Sequence, residues 1–221
     1  MTKKQNTKQA SVQQEQEPII SLLAGTKKYV KDHKKRVITG AVILVLCAVF
    51  GYAYTAHTKK VQEQSWAAYY NAQLAVMNDP AALTQLDGVA LQFPGTQAAQ
   101  YAQLLKGDIL YATENYAQAV SAYEPLITAH NETLRTVAIL SLAAARQATG
   151  DYDGSIKLLT KFIEDNPKSF ALHQAYFTLA LSQELTGKKA QAVETYQQIL
   201  SNYTKTYFGS VAKDKLAVLN K

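Results

Sequence analysis

Residues 149–169 read TGDYDGSIKLLTKFIEDNPKS, and they carry the clearest helix signal of the chain. It opens with a turn signal at residues 150–152, where glycine and aspartate break the preceding pattern. Ser155, a small residue, begins an apolar stripe, and the larger Leu159 follows four positions later on the same helix face. The stripe stops at residues 166–167, because a proline just past a helix end cannot continue the hydrogen-bond ladder. The stretch therefore predicts one amphipathic helix between two turns.

The same pattern recurs along the chain at nearly constant intervals. Each copy has a turn signal, then a small residue, then a large apolar residue four positions later. The copies are separated by 37, 36 and 37 residues. Such a period indicates stacked supersecondary units, because one unit cannot bury its apolar face alone. The small and large residues are Ala82 and Leu86, Ala119 and Tyr123, Ser155 and Leu159, and Ala192 and Tyr196.

Two of these units, residues 149–169 and 186–203, resemble the second half of a tetratricopeptide repeat, and residues 113–127 do so less closely. The resemblance covers residues 63–206 and implies paired antiparallel helices stacked into an α-solenoid. The departures are Met77, where glycine is usual, and Ser155, where alanine is usual. The first helices of the repeats match at Trp66, Tyr69 and Tyr70, and at the small residues Gly107, Ala143 and Ala180.

We predict an all-α fold, because no stretch after residue 57 alternates apolar and polar residues with a period of two. It should contain about four helical hairpins and a C-terminal helix that caps the open end of the solenoid. The predicted helices are residues 63–77, 80–92, 97–113, 116–129, 132–149, 152–165, 169–186 and 189–202, with the cap at 207–220.

Residues 37–56, VITGAVILVLCAVFGYAYTA, contain no charged side chain. At about 1.5 Å per residue a helix of this length matches the hydrocarbon core of a bilayer, so we predict a single transmembrane helix. Six Lys and Arg residues crowd residues 27–36, and this basic flank predicts that the N-terminus is cytoplasmic. The alternatives are the core helix of a soluble protein and a cleaved signal sequence, for which residues 53–55 match weakly.

The predicted domains are a basic cytoplasmic tail at 1–36, the span at 37–56 and an extracytoplasmic repeat domain at 57–221. Residues 1–17 are too polar to bury a core and should be disordered, whereas residues 18–36 read as an interfacial segment or a plain linker. The whole net charge of +6 lies in residues 1–36, and residues 57–221 carry equal numbers of acidic and basic side chains. This balance argues against nucleic-acid binding.

The sequence contains no recognisable catalytic or metal-binding motif. Its single cysteine, Cys47, lies in the predicted span, so the repeat domain has no disulfide and no thiolate metal site. The four histidines, at 33, 57, 130 and 173, form no ligand pair at helical spacing. We therefore predict a protein that is not an enzyme and has no cofactor.

By the family pattern, the first helices of the repeats should present a protein-binding groove. Its mixture of aromatic, aliphatic and amide groups favours an apolar or amphipathic peptide, and the few cations argue against a clamp for a terminal carboxylate. An alternative role as core between repeats applies especially to Leu104 and Phe177. The predicted groove residues are Tyr101, Leu104, Asp108, Tyr111, Leu140, Gln147, Gln174, Phe177, Leu181 and Glu184, with Gln64, Ala67, Asn71, Leu74 and Ala144 in a wider set.

The layout of a short tail, one span and an outer array of repeats resembles the bacterial inner-membrane proteins that are ancillary subunits of the Sec translocon. FPGTQAA at 93–99 is a minor local likeness to related repeat proteins. The resemblance implies a single-pass protein of the inner membrane, with a scaffold that links translocon subunits, periplasmic chaperones or exported clients. The alternative is an envelope-assembly protein that associates with itself as a homo-oligomer.

Overall fold

The structure is a computed structural model that describes residues 31–79 and 82–219 of the 221-residue chain. The described residues form helices and turns without a strand, which confirms the predicted all-α fold. The α-helices are α1 Lys34–Asn78, α2 Leu83–Gln92, α3 Gln97–Ala112, α4 Tyr116–Tyr123, α5 Glu132–Ala148, α6 Tyr152–Asp165, α7 Leu172–Leu185, α8 Lys189–Tyr203 and α9 Tyr207–Leu219, and a 3₁₀ helix covers Glu124–Thr128.

The described residues separate into two compact units, the first ending at Lys59 and the second beginning at Lys60. In the first unit, the large apolar side chains between Ile38 and Tyr54 are exposed. In the second unit, the consecutive helices from α2 to α9 pack against one another, and α3, α5, α7 and α9 also contact each other in succession. The end of α1 pairs with α2 through Tyr69, Val76 and Leu86, which share one buried cluster. The second unit is thus a row of hairpins, with α9 on α8 as the predicted cap.

A small residue on the first helix of a hairpin admits a large side chain from the second helix. At Gly107 a Cβ atom would lie 2.5 Å from the ring of Tyr123, so the glycine is required by close approach. Ala143 shares a buried cluster with Leu159, and further along the chain Ala180 shares one with Tyr196. Gly107 thus lies directly against Tyr123, and the equivalent small and large residues of the next two hairpins are buried together.

Three first helices end in the same way, with a threonine followed by a residue of positive φ. Gly150 and Gly187 have φ of +84° and +75°, and in α3 the equivalent residue is Glu114 with φ of 62°. In α5 the next two amides complete a Schellman motif, with Gly150 N–H donating to Gln147 O at 3.1 Å and Asp151 N–H donating to Arg146 O at 2.8 Å. These ends set where each second helix begins.

The predicted helix at 116–129 is wrong in its second half. The α-helix ends at Tyr123, and a 3₁₀ helix continues to Thr128, because Pro125 has no N–H to donate to the carbonyl one turn earlier. The helix predicted at 169–186 begins later, at Leu172, since Ser169 to Ala171 form a turn.

Predicted and observed boundaries agree within two residues for α3, α5, α6, α8 and α9, whereas α2 begins at Leu83, three residues after the predicted start. The helix at 152–165 matches at both ends, and residues 63–77 lie within the longer α1. Parts of the predictions for 1–36, 80–92 and 207–220 lie outside the described residues, at 1–30, 80–81 and 220.

A substitution at Glu114 tests the role of the residue with positive φ at the end of a first helix. Because a side chain in the left-handed region is strained, we expect Glu114→Gly to raise the free energy of unfolding by up to about 1 kcal/mol. Gly150→Ala, at the equivalent position of α5, should lower it by about 1–2 kcal/mol. Denaturant titration of the full-length protein, followed by circular dichroism, measures both. Destabilisation by Glu114→Gly would contradict this account.

Candidate functional site

A cavity of about 230 Å³ opens on the surface formed by the first helices of three successive hairpins. Helices α3, α5 and α7 supply most of its wall, and α4 contributes one tyrosine at the end of its last turn. The lining residues are Asp108, Tyr111, Tyr123, Leu140, Ser141, Ala144 and Gln174.

Four of the ten predicted groove residues line this cavity, namely Asp108, Tyr111, Leu140 and Gln174. Ala144, from the wider set, lies with them. Sequence reasoning missed two lining residues. The sequence pattern assigns Tyr123 only to packing, and Ser141 follows the predicted residue Leu140 on α5 without being predicted itself. The hydroxyl group of Tyr123 could have indicated its place in the site, because a tyrosine packed in a core still needs a hydrogen-bond partner for its hydroxyl.

The other predicted groove residues lie elsewhere. Tyr101 packs on the first buried cluster, with its ring 5.6 Å from that of Trp66. Leu104 contacts two buried clusters, and Phe177 contacts the cluster beneath α9, as the alternative core reading of these residues proposed. Leu181 is partly buried. Gln147 and Glu184 take part in the polar contacts described below. The protein-binding role of all ten residues stays a prediction.

Tyr123 and Asp108 form a hydrogen-bonded pair in the cavity. The Tyr123 hydroxyl donates to Asp108 Oδ1 at 2.7 Å. Loss of hydration raises the pKa of Asp108 above its ordinary value of 3.8, and the hydrogen bond from Tyr123 acts in the opposite direction. Asp108 keeps an exposed side chain, so this shift reflects a partly dehydrated cavity wall. Burial, and then the neighbouring carboxylate, raise the pKa of Tyr123. Burial thus favours the protonated form of both groups, and the hydrogen bond from Tyr123 partly offsets this effect on the pKa of Asp108.

A second acid–tyrosine pair lies two hairpins further along. The Tyr196 hydroxyl donates to Glu184 Oε2 at 3.1 Å, and burial followed by the Glu184 charge raises the pKa of this tyrosine. Lys215, on the capping helix α9, donates from Nζ to both oxygens of Glu184 at 3.1 and 3.0 Å. The carboxylate of this second pair is therefore neutralised within the chain.

In α5 the repeat position of Glu184 is occupied by Gln147, which makes a different polar contact. Gln147 Nε2 donates to Ser182 Oγ at 3.0 Å, and the hydroxyls of Ser182 and Ser155 lie 3.1 Å apart in the buried interior. Ser155 stands where a tetratricopeptide repeat usually has alanine. The contact explains this departure, because the serine hydroxyl finds a partner when it is buried.

A sequence model described as a tetratricopeptide repeat-like domain matches residues 27–221. The chain belongs to this family. Members of the family are typically scaffolds for protein–protein interaction rather than enzymes. The matched range includes the apolar residues 37–56 together with all of the hairpins.

Solved tetratricopeptide repeat structures share the fold. A kinesin light chain from Podosopora anserina, described as having nearly identical tetratricopeptide-like repeats, is 20% identical and superimposes with a TM-score of 0.52 over 74% of this chain and 85% of its own. A point variant of it is 18% identical, with a TM-score of 0.53 over 74% and 84%. No curated protein matches the sequence. At this identity the likeness shows the fold alone.

Among residues 31–79 and 82–219, no group of three or more His, Cys, Asp or Glu side chains is placed to hold a metal ion. Cys47, the single cysteine, is exposed in the first unit. What the tetratricopeptide surface does offer is a mixed aromatic, aliphatic and amide lining with one exposed carboxylate.

Removal of the hydrogen bond between Tyr123 and Asp108 should change the pKa of Asp108. In Tyr123→Phe the carboxylate loses a donor that favours its charged form, so we expect the pKa of Asp108 to rise further. Carbon-detected NMR of the Asp108 carboxyl group measures it. Because the folded state then holds this proton more tightly than the unfolded chain, unfolding free energy should increase as pH falls from the folded pKa towards 3.8. An unchanged or lower pKa in the variant would refute the assignment.

Proposed function

We propose that this protein is a non-enzymatic, membrane-anchored scaffold whose repeat domain binds protein partners on the extracytoplasmic side of the bacterial inner membrane. Residues 37–56 form the anchor, and the basic tail stays in the cytoplasm. The partners are translocon subunits, periplasmic chaperones or exported clients, which makes the chain an ancillary component of the Sec translocon. The observation that carries the proposal is the presence, in one chain, of an exposed apolar helix and an open cavity lined by three first helices.

Three observations support the anchor. Among the described residues, one helix, Lys34–Asn78, is long and apolar enough to cross a membrane. Its most apolar window is entirely exposed, whereas the core helix of a soluble protein would be covered. The family match also begins at residue 27, so it includes the apolar stretch together with the repeats.

The lining of the cavity supports protein binding. Tyr111, which is 38% exposed, and Leu140 line the cavity, and Gln174 contributes an exposed amide. Aromatic and aliphatic groups with a few placed polar groups are typical of surfaces that take a peptide segment. The partner identity rests on the layout of tail, span and repeats.

A second candidate function is self-association in envelope assembly. Tyr70, Leu74 and Met77 are 55%, 58% and 74% exposed, and their spacing places them on one face of α1. An exposed apolar stripe of this kind favours contact with another protein surface, which in this version is a second copy of the chain.

The orientation can be tested because the chain has a single cysteine. In a Cys47→Ala background, Ser201→Cys places a thiol at an exposed position of α8, and Ser11→Cys places one in the tail. A membrane-impermeant maleimide added to spheroplasts should label Ser201→Cys, and should label Ser11→Cys only after lysis. The reverse pattern would overturn the proposed topology and, with it, the proposed partners.

The partners can be tested by photocrosslinking in cells. A crosslinking amino acid replaces Gln174 at the cavity, and the matched control replaces Gln198, an exposed glutamine on α8 outside the lining. We expect Sec translocon subunits, periplasmic chaperones or exported clients to be trapped from position 174 above the level of the control. Capture of the chain itself would favour the self-association alternative. Equal capture from both positions would overturn the proposed use of the cavity.

A further inference from the structure

The two acid–tyrosine pairs differ in the position of the carboxylate and in its charged neighbours. Asp108 precedes Tyr123 by 15 residues, whereas Glu184 precedes Tyr196 by 12 residues. Glu184 has Tyr196 and also Lys215, whose Nζ lies 3.0 Å from Oε2. Asp108 has Tyr123 at 2.7 Å, and no lysine or arginine of the described residues lies within ion-pair distance of it. A tyrosine hydroxyl thus meets a carboxylate in both places, but only the carboxylate near the capped end has a cation beside it.

The cavity is large enough for a cationic side chain. Its α5 wall consists of Leu140, Ser141 and Ala144, none of which is charged. The volume of about 230 Å³ is several times the roughly 30 Å³ that one water occupies, so a long side chain fits there. Tyr111 and Tyr123 add aromatic rings to the lining, and aromatic rings attract cations. The raised pKa of Asp108 agrees with a partly dehydrated carboxylate that lacks a positive partner.

We propose that this cavity is the subsite for a basic side chain, arginine or lysine, of the bound peptide, with Asp108 as its ion-pair partner. The inference rests on the proposed function, because it specifies which peptides the same surface takes. The guanidinium or ammonium group would pair with the Asp108 carboxylate as Lys215 Nζ pairs with that of Glu184, while apolar residues of the peptide would contact the aliphatic part of the lining.

The test uses two synthetic peptides, acetyl-Leu-Ala-Arg-Ala-Leu-amide and the same peptide with citrulline in place of arginine. Citrulline keeps the shape of arginine and removes its charge. Binding to the full-length protein in detergent is measured by thermophoresis. We expect the arginine peptide to bind about tenfold more tightly, the size of one charge-assisted contact.

Three variants locate the effect. Asp108→Asn should abolish the preference for arginine while keeping an acceptor for the Tyr123 hydroxyl. Ser141→Lys should also abolish it, because this variant supplies an internal cation from α5 and leaves Asp108 in place. Glu194→Gln, which removes one exposed charge on α8 away from the lining, is the matched control and should retain the preference. Circular dichroism establishes that each variant is folded.

The outcomes separate this inference from the proposed function. Equal binding of the two peptides by the unaltered protein, failure of both to bind, or retention of the arginine preference in Asp108→Asn would overturn the basic subsite. None of these results alters the photocrosslinking from position 174, which tests the scaffold itself. Conversely, loss of that crosslinking overturns the scaffold proposal whether or not the arginine peptide is preferred.

Discussion

The contact of a small residue with a large one across each hairpin is the constraint on which the second unit depends. Gly107 leaves only enough room for the ring of Tyr123, and a Cβ atom there would lie 2.5 Å from it. Ala180 and Tyr196 share the corresponding cluster near the C-terminus. Because these pairs fix how closely two helices approach, they also fix the surface that α3, α5 and α7 present.

The same constraint connects the core to the candidate site. Tyr123 and Tyr196 are almost fully buried, yet each directs its hydroxyl to a carboxylate on a first helix. A buried tyrosine needs a partner for its hydroxyl, and here the partner is an acidic side chain of a first helix. Packing inside the hairpin therefore positions Asp108 and Glu184.

The two carboxylates differ in what surrounds them, although the hairpins follow one pattern. Glu184 is next to the capping helix, which supplies Lys215. Asp108 faces α5 of the next hairpin, whose wall is uncharged at that point. The carboxylate at the C-terminal end of the row is paired with a lysine of the chain, whereas the carboxylate at the cavity is not. A cap must satisfy the groups that a further repeat would have covered, whereas a middle repeat can leave them available to a partner.

The local signals of the sequence determined most of the helices. The helix at 152–165 is bounded correctly because Asp151 Oδ1 accepts from Gly154 N–H at 3.0 Å at one end and Asn166-Pro167 stops it at the other. Composition alone identified the apolar stretch at residues 37–56. The break at Pro125 was also readable, and the prediction of a helix through 129 gave too little weight to proline.

Tertiary structure alone decided which residues of the first helices are core and which line the cavity. Helical periodicity places Leu104 and Asp108 on one face, but the neighbouring hairpin covers the first and leaves the second exposed. The pairing of Lys215 with Glu184 joins residues 31 positions apart in the sequence, and the cavity collects side chains from four helices. A sequence pattern specifies the face of a helix, whereas the packing of successive hairpins determines which part of that face stays open.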